Sequence, residues 1–297
     1  MKKILKWLLI GAVGLMLLGG SLYFVGFAMS GFKVEALSST KYESKHFNEN
    51  AENLLTSIKI DYDATDVVVV FDDAASSVTV EYPQKQTKKG KNINMVTVTE
   101  TAGNLIISER EKFYLWDWIG GFTPTLTVTL PAARLYDLVL DVDYGDVVVR
   151  GSGSVNSLTL GLGHGDVNTQ RAEIVCASTL RMEIDHGDIE MGNVQAEKMY
   201  ISSEYGDLEC EKSVLHVKEI YMDMEHGDVD VDFLQADKII FEMEYGDIEM
   251  TLYGDRTDYT VQIEIEYGET NIRDVIGGEK FLQIFSEHGD VESDFKK

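Results

Sequence analysis

The sequence predicts an all-β fold: a single-stack parallel β-solenoid with coils of about 20 residues marked by [Tyr/His]-Gly-Asp turns, preceded by one N-terminal transmembrane helix. Three observations carry that reading. A short phrase recurs eight times, with glycines at Gly145, Gly165, Gly187, Gly206, Gly227, Gly246, Gly268 and Gly289, spaced by 20, 22, 19, 21, 19, 22 and 21 residues. Apolar and polar residues alternate strictly on both sides of each glycine. The chain opens with three lysines followed by a long uncharged apolar run.

Lys2, Lys3 and Lys6 precede Trp7–Ser30, which carries no charged residue. At about 1.5 Å per residue a helix over most of it reaches roughly 34 Å, enough for a bilayer core of about 30 Å. The basic flank keeps the N-terminus cytoplasmic and places the rest outside. A cleaved signal peptide, ending at Ala28-Met29-Ser30, would instead give a secreted protein, but the apolar run exceeds a usual signal core.

The chain then divides by texture. Residues 1–30 are the basic start and transmembrane helix, 31–55 a polar linker or stalk, 56–135 an irregular β part with an aromatic cap loop, and 136–297 the regular acidic repeats. In the irregular part, Ile58, Ile60 and Asp66-Val67 look like a copy of the repeat without its glycine. A basic loop occupies 85–92. The segment 112–122 is dense in aromatics: Phe113, Tyr114, Trp116, Trp118 and Phe122. Repeat folds need their open ends covered, so it reads as a cap, or else as an exposed contact loop.

Aligned on glycine, the repeats sort into columns. Seven residues before it stand Leu138, Leu158, Leu180, Met199, Ile220, Ile239, Val261 and Leu282; the positions five and three before and two after are apolar with few exceptions. A period of two gives strands with one buried face and excludes a helical stripe. A weaker apolar pair follows: Val175/Ala177, Val194/Ala196, Leu215/Val217 and Leu234/Ala236. About three short strands per repeat fit one turn of a parallel solenoid, with equivalent residues about 4.8 Å apart along the axis. Eight coils then extend roughly 40 Å.

Each corner needs a positive φ, which glycine adopts without penalty. Before the glycine stand Tyr144, His164, His186, Tyr205, His226, Tyr245, Tyr267 and His288, a ring ladder along one edge. After it stand Asp146, Asp166, Asp188, Asp207, Asp228, Asp247, Glu269 and Asp290. Such acids hydrogen-bond nearby amides in turns. Tyr253-Gly254-Asp255 is out of register and reads as an ordinary turn in a longer loop.

The formal net charge is −25. Residues 1–136 hold 14 basic and 14 acidic side chains, whereas 137–297 hold 12 and 37, so the whole imbalance lies in the repeats. Two residues before glycine stand Asp143, Asp185, Glu204, Glu225, Glu244, Glu266 and Glu287, with Gly163 the exception. Stacked carboxylates about 5 Å apart repel by roughly 0.8 kcal/mol even in water. Such columns argue against nucleic acid. They read as a solvated face that blocks lateral pairing, or as a surface for cations. The acids after glycine are the candidate metal ligands, for Ca²⁺ if any cofactor binds, although none is expected. Cys176 and Cys210 read as buried thiols that a disulfide could also join. No cap is evident after Gly289, so the last coil needs residues beyond Phe281, or another molecule, to cover its edge.

LTVTLP at 126–131, followed by LYDLVLDVDYGDV and its iterations, resembles the bacterial "putative adhesin" domain of unknown function that includes LiaG-like cell-envelope proteins. The resemblance spans roughly residues 50–297. It implies a β-solenoid, a surface location and a link to adhesion or envelope stress, and it supplies no catalytic residues. The rings before glycine depart from the smaller polar residues common in the family.

Three functions follow. The first is a non-enzymatic, membrane-anchored surface scaffold or adhesin-like protein of the cell envelope, its partner an unknown protein or envelope component. The second is an envelope-stress accessory that binds cations or cationic peptides through stacked carboxylates. The third, a polysaccharide-active β-helix enzyme, conflicts with acids too evenly repeated to mark one site. No HExxH, nucleophile elbow, P-loop or GxGxxG is present.

Overall fold

The computed structural model describes residues 19, 40–50, 54–87, 89–93, 96–109 and 125–297. Apart from Gly19, the apolar run 7–30 lies outside the described residues, as does the aromatic loop 112–122. Among the described residues no helix is long and apolar enough to cross a membrane.

The chain forms two units. The first comprises Met1–Glu43, Gln84–Asn94 and Lys112–Phe122. There Gln86 donates to Asn92 Oδ1 at 3.1 Å and also to Glu43, and the Lys85 ammonium lies 5.7 Å from the Tyr42 ring centre.

The second unit, Ser44–Pro83, Met95–Glu111 and Thr123–Lys297, holds the stacked coils. Strands preceding the repeats are β1 (Thr40–Asn48), β2 (Ser57–Tyr62), β3 (Asp66–Asp72), β4 (Thr79–Thr87), β5 (Thr97–Thr101), β6 (Asn104–Ser108) and β7 (Thr125–Pro131). The repeats supply β8 (Asp137–Tyr144), β9 (Val147–Val155), β10 (Ser157–His164), β11 (Val167–His186), β12 (Ile189–Glu190), β13 (Asn193–Tyr205) and β14 (Leu208–His226). They continue with β15 (Val229–Gln235), β16 (Lys238–Tyr245), β17 (Ile248–Tyr253), β18 (Tyr259–Tyr267), β19 (Lys280–His288) and β20 (Val291–Lys296). Coils are numbered here 1 to 8 by their glycines, Gly145 to Gly289.

The alternation does what it predicts. Leu158, Leu160 and Leu162 of coil 2 are buried, and parallel pairing sets them on Leu138, Leu140 and Val142 below and Leu180, Met182 and Ile184 above. Each coil alone would expose these side chains, so the core exists only through stacking. Ser203 and Ser286 interrupt the column, buried with hydroxyls that have no hydrogen-bond partner among the described residues. One apolar pair is shifted from its expected position: Ile174 and Cys176 face the core, and Val175 is exposed. An irregularity between Cys176 and Thr179 absorbs the extra length of that coil, and a one-residue slip exchanges the two faces.

The stack does not follow chain order at either end, contrary to the expectation of successive coils. At the beginning, β2 and β3 form a coil that carries β8 and β9 on one side. On their other side lie β6 and β7, which come later in sequence than β2 and β3. That outer coil is edged by antiparallel β5, through the Ala102-Gly103 turn, and by β4. At the far end β19 pairs with β16 on one side and β18 on the other, so coil 8 lies between coils 6 and 7.

The reason lies in coil 7. Thr270 stands where other coils have Val, Ile or Leu, and after Gly268 the coil forms only an isolated bridge, Thr270–Val291. A coil without a second strand cannot support a neighbour, whereas β20 matches β17 from Val291 to Lys296. The connector after coil 7 then doubles back. Val275 pairs antiparallel with Val261, and Ile272 is buried. Coil 7 and its connector therefore cover the far end, in place of the residues after Phe281 or a second molecule.

Part of the segment read as a stalk is structured too. β1 leads to Glu49, a buried carboxylate that takes both Arg134 guanidinium nitrogens at 2.6 and 2.8 Å and the amides of Leu55 and Val78 at 2.6 and 2.9 Å. Burial pushes the Glu49 carboxyl up, but the Arg134 hydrogen bonds and the two amides outweigh it and hold it below the usual range.

Candidate functional site: ring, amide and carboxylate ladders

Three ladders run side by side at the [Tyr/His]-Gly-Asp corner. The glycine φ is +137° at Gly145, +139° at Gly206 and +135° at Gly227. The stacking imposes a second demand: a Cβ at Gly187 would lie 1.7 Å from the Gly165 carbonyl oxygen. The turn must therefore lack a side chain for both conformation and space.

The eight predicted rings form one continuous pile. Centre-to-centre distances are 4.8 Å for Tyr144–His164, 4.7 Å for His164–His186, 4.9 Å for His186–Tyr205, 4.7 Å for Tyr205–His226 and 5.0 Å for His226–Tyr245. His288 then lies 4.7 Å from Tyr245 and 4.8 Å from Tyr267. The spacing is imposed by the strands, and each stacked pair adds about 0.5–1.5 kcal/mol. The imidazoles and phenols hold equivalent places, so the pile is a packing device first.

The acids after glycine are also brought together, and their role is visible. Asp66 Oδ1 accepts the Asp146 amide at 3.1 Å, Asp146 that of Asp166 at 3.1 Å, and Asp166 that of Asp188 at 3.0 Å. The series continues through Asp207 at 3.0 Å, Asp228 and Asp247 at 2.8 Å, Asp290 at 2.8 Å and Glu269 at 2.7 Å. One oxygen of each Asp is thus committed to the next coil. Glu269 ends the ladder and alone has no coil beyond it, which is why a longer acid serves there. Among the described residues no three His, Cys, Asp or Glu side chains converge where a metal ion could sit. Cys176 and Cys210 are buried free thiols, and burial pushes the Cys210 thiol up to about 12.

The copy of the repeat read at Asp66-Val67 without its glycine proves part of the ladder: Asp66 starts it, with Thr65 in place of glycine. One feature escaped the sequence reading. A further acid column stands three residues after glycine: Glu190, Glu209, Asp230, Glu249 and Glu292, paired in consecutive coils. The same alignment would have revealed it. Beside it lie Glu211, Asp232 and Asp294, so the outward face after the corner is a lattice of carboxylates. Burial and then the carboxylates of Glu190, Glu211, Asp207 and Asp188 raise the Glu209 carboxyl above its ordinary value. Burial and then Asp232 and Glu211 do the same for Asp230.

The outward face before the corner differs. Tyr200 and Tyr221 stack at 5.1 Å, capped by Arg181 at 5.7 Å from one ring and Lys238 at 4.9 Å from the other. Glu219 accepts from Lys198 at 3.0 Å and from the Tyr221 hydroxyl at 3.1 Å, and Lys238 donates to that hydroxyl at 2.8 Å. Beside this network an open groove of about 300 Å³ runs past Ser202, Glu183, Asp223 and Glu242. The outward face before the corner thus carries charge-paired aromatics, whereas the face after it is mostly carboxylate, with Lys212 placed 3.7 Å from Glu211.

Comparison with solved structures finds likenesses at low identity. A "putative adhesin" of Bacteroides fragilis is 12% identical, with a TM-score of 0.49 over 85% of this chain and 97% of its own. One from Parabacteroides distasonis is 14% identical, with a TM-score of 0.49 over 85% and 97%. One from Parabacteroides merdae is 13% identical, with a TM-score of 0.42 over 85% and 96%. Comparison with the curated proteins finds no match. The family model described as Toastrack DUF4097 matches residues 55–297, the whole run of stacked coils, and the chain belongs to that family.

Proposed function

We propose that the chain is a non-enzymatic, adhesin-like interaction protein of the bacterial cell envelope, anchored by residues 7–30 with its coils outside the membrane. The observation that carries this reading is the uniformity of the corner. The same ring, glycine and acid recur through eight coils, and a surface that repeats along an axis suits an extended partner better than one small substrate. Fractionation and surface proteolysis of bacteria producing the full chain test it. The chain should pellet with membranes and lose its coils to external protease. Recovery in the soluble cytoplasmic fraction would overturn the reading.

The carboxylate lattice favours a second reading, capture of cations or cationic peptides. No Lys or Arg stands in the columns two before, one after or three after the glycines. Melting the full chain with Ca²⁺, Zn²⁺ or a cationic peptide decides it. A rise in Tm that salt abolishes supports capture, and no shift with any of them removes it.

A further inference from the structure

Coil 8 occupies a slot that coils 6 and 7 form around it. On one side Leu282 and Ile284 of β19 register with Ile239 and Phe241; on the other they register with Val261 and Ile263. All three corner ladders pass through it. His288 is stacked between Tyr245 and Tyr267. The Asp290 amide donates to Asp247 at 2.8 Å, and the Asp290 carboxylate accepts from Glu269 at 2.7 Å. The Gly289 amide donates to the Tyr267 carbonyl and the His288 carbonyl accepts from Gly246, each at 3.0 Å.

Withdrawing coil 8 therefore leaves two strand edges facing each other, that of β16 and β17 and that of β18. Unpaired edges are templates for another strand. The segment that fits every column of the slot is coil 8 itself, and each copy of the chain carries one. A single connector, residues 268–279, ties it to coil 7. The connector contains Gly268, Gly277 and Gly278 and leaves Ile276 94% exposed. Fully extended it reaches about 40 Å. Its ties include the Val261–Val275 pair, the Thr270–Val291 bridge, Asn271 accepting the Ser293 amide at 2.9 Å, Asp274 accepting that of Ile263 at 2.9 Å, the Arg273 carbonyl accepting from Arg256 at 3.0 Å, Thr260 bonded to Gly277 and Gly278, and the buried Ile272.

We infer that coil 8 exchanges between copies of this chain, the partner being a second copy whose coil 8 enters the slot between coils 6 and 7. Exchange restores the hydrogen bonds and stacked rings between coil 8 and its slot, so the two forms differ mainly in the connector's own ties, chain entropy and concentration.

Glu242 and Phe285 are neighbours across β16 and β19 and point outward. Mixed full-length chains, one Glu242→Cys with a size tag and one Phe285→Cys, should give a disulfide-linked heterodimer on oxidation. Its yield should grow with incubation concentration and exceed several-fold that of a control pair, Asp141→Cys with Phe285→Cys. A yield equal to the control would overturn exchange. The two substitutions in one dilute chain should cross-link internally, and failure there would overturn the inserted order on which exchange rests.

Discussion

The Glu269 amide donates to the Asp290 carboxylate at 2.7 Å, with Glu269, the earlier residue by 21 positions, on the outer side. This single bond fixes the order of the last two coils. It also explains the one Glu in a column otherwise all Asp. Each inner Asp must reach an amide about 4.8 Å up the axis, and an extra methylene would overshoot it.

Asp188 tests the ladder from the middle. Asp188→Ala removes the acceptor of the Asp207 amide and should cost about 1 kcal/mol. Asp188→Asn keeps an acceptor oxygen while removing a charge from the column, and should lie closer to the parent. Glu269→Ala should change stability by less than about 0.5 kcal/mol, since no amide lies beyond it. Urea denaturation of the three variants checks the ranking. Equal losses for Ala at 188 and 269 would refute the assigned ladder.

The glycines separate conformation from space. Gly206→Ala meets both a φ of +139° and a Cβ 2.0 Å from the Gly187 carbonyl oxygen. Neighbouring coils would have to part, so loss of the cooperative melt is expected. At Gly90, φ is +83° and a Cβ would meet nothing within 4 Å among the described residues, so Gly90→Ala should cost only about 1 kcal/mol. Circular dichroism melts distinguish the two.

Most of this architecture was legible because a solenoid repeats its constraints. Gly, Asp and the apolar columns recur with the coil and average out local noise. Coil order was not legible from spacing, since the same columns fit either sequence of coils 7 and 8. Thr270 and Glu269 were the available signal: the atypical repeat marks the end of a stack, and it need not be the last in the chain. Glu49 was hidden for another reason. Its partners Arg134, Leu55 and Val78 are scattered, and no periodicity points to a clasp.

That clasp gives the next prediction. Arg134→Met leaves the Glu49 carboxylate buried with only two amides and should cost about 3 kcal/mol. Adding Glu49→Gln should recover part of the loss, because a neutral amide tolerates burial better. Glu49 is held below its ordinary range, so its contribution is present above that range and is lost as pH falls through the lowered value. The parent should therefore lose more stability to acid than the double variant, in urea titrations at successive pH values.

The carboxylate lattice predicts the opposite sign at Glu209 and Asp230, whose carboxyls are both raised. A group raised on folding contributes stability that is full below its ordinary value and is lost as pH rises through the folded one. Their charged forms are opposed by desolvation and by the neighbouring carboxylates of Glu190, Glu211, Asp207, Asp188 and Asp232, so the lattice works against the stack as pH rises. Glu209→Gln with Asp230→Asn should then melt above the parent at pH 7. The difference should shrink as pH falls below the ordinary values of these two carboxyls, where Glu209 and Asp230 of the parent are neutral as well. Taking the difference between the two proteins cancels the titration of groups that do not interact with these two. Added salt should shrink it as well, because these side chains face solvent and their repulsion is screened within about 10 Å at 0.1 M. A difference that stays constant across pH and salt would show that the substitutions act through packing rather than charge.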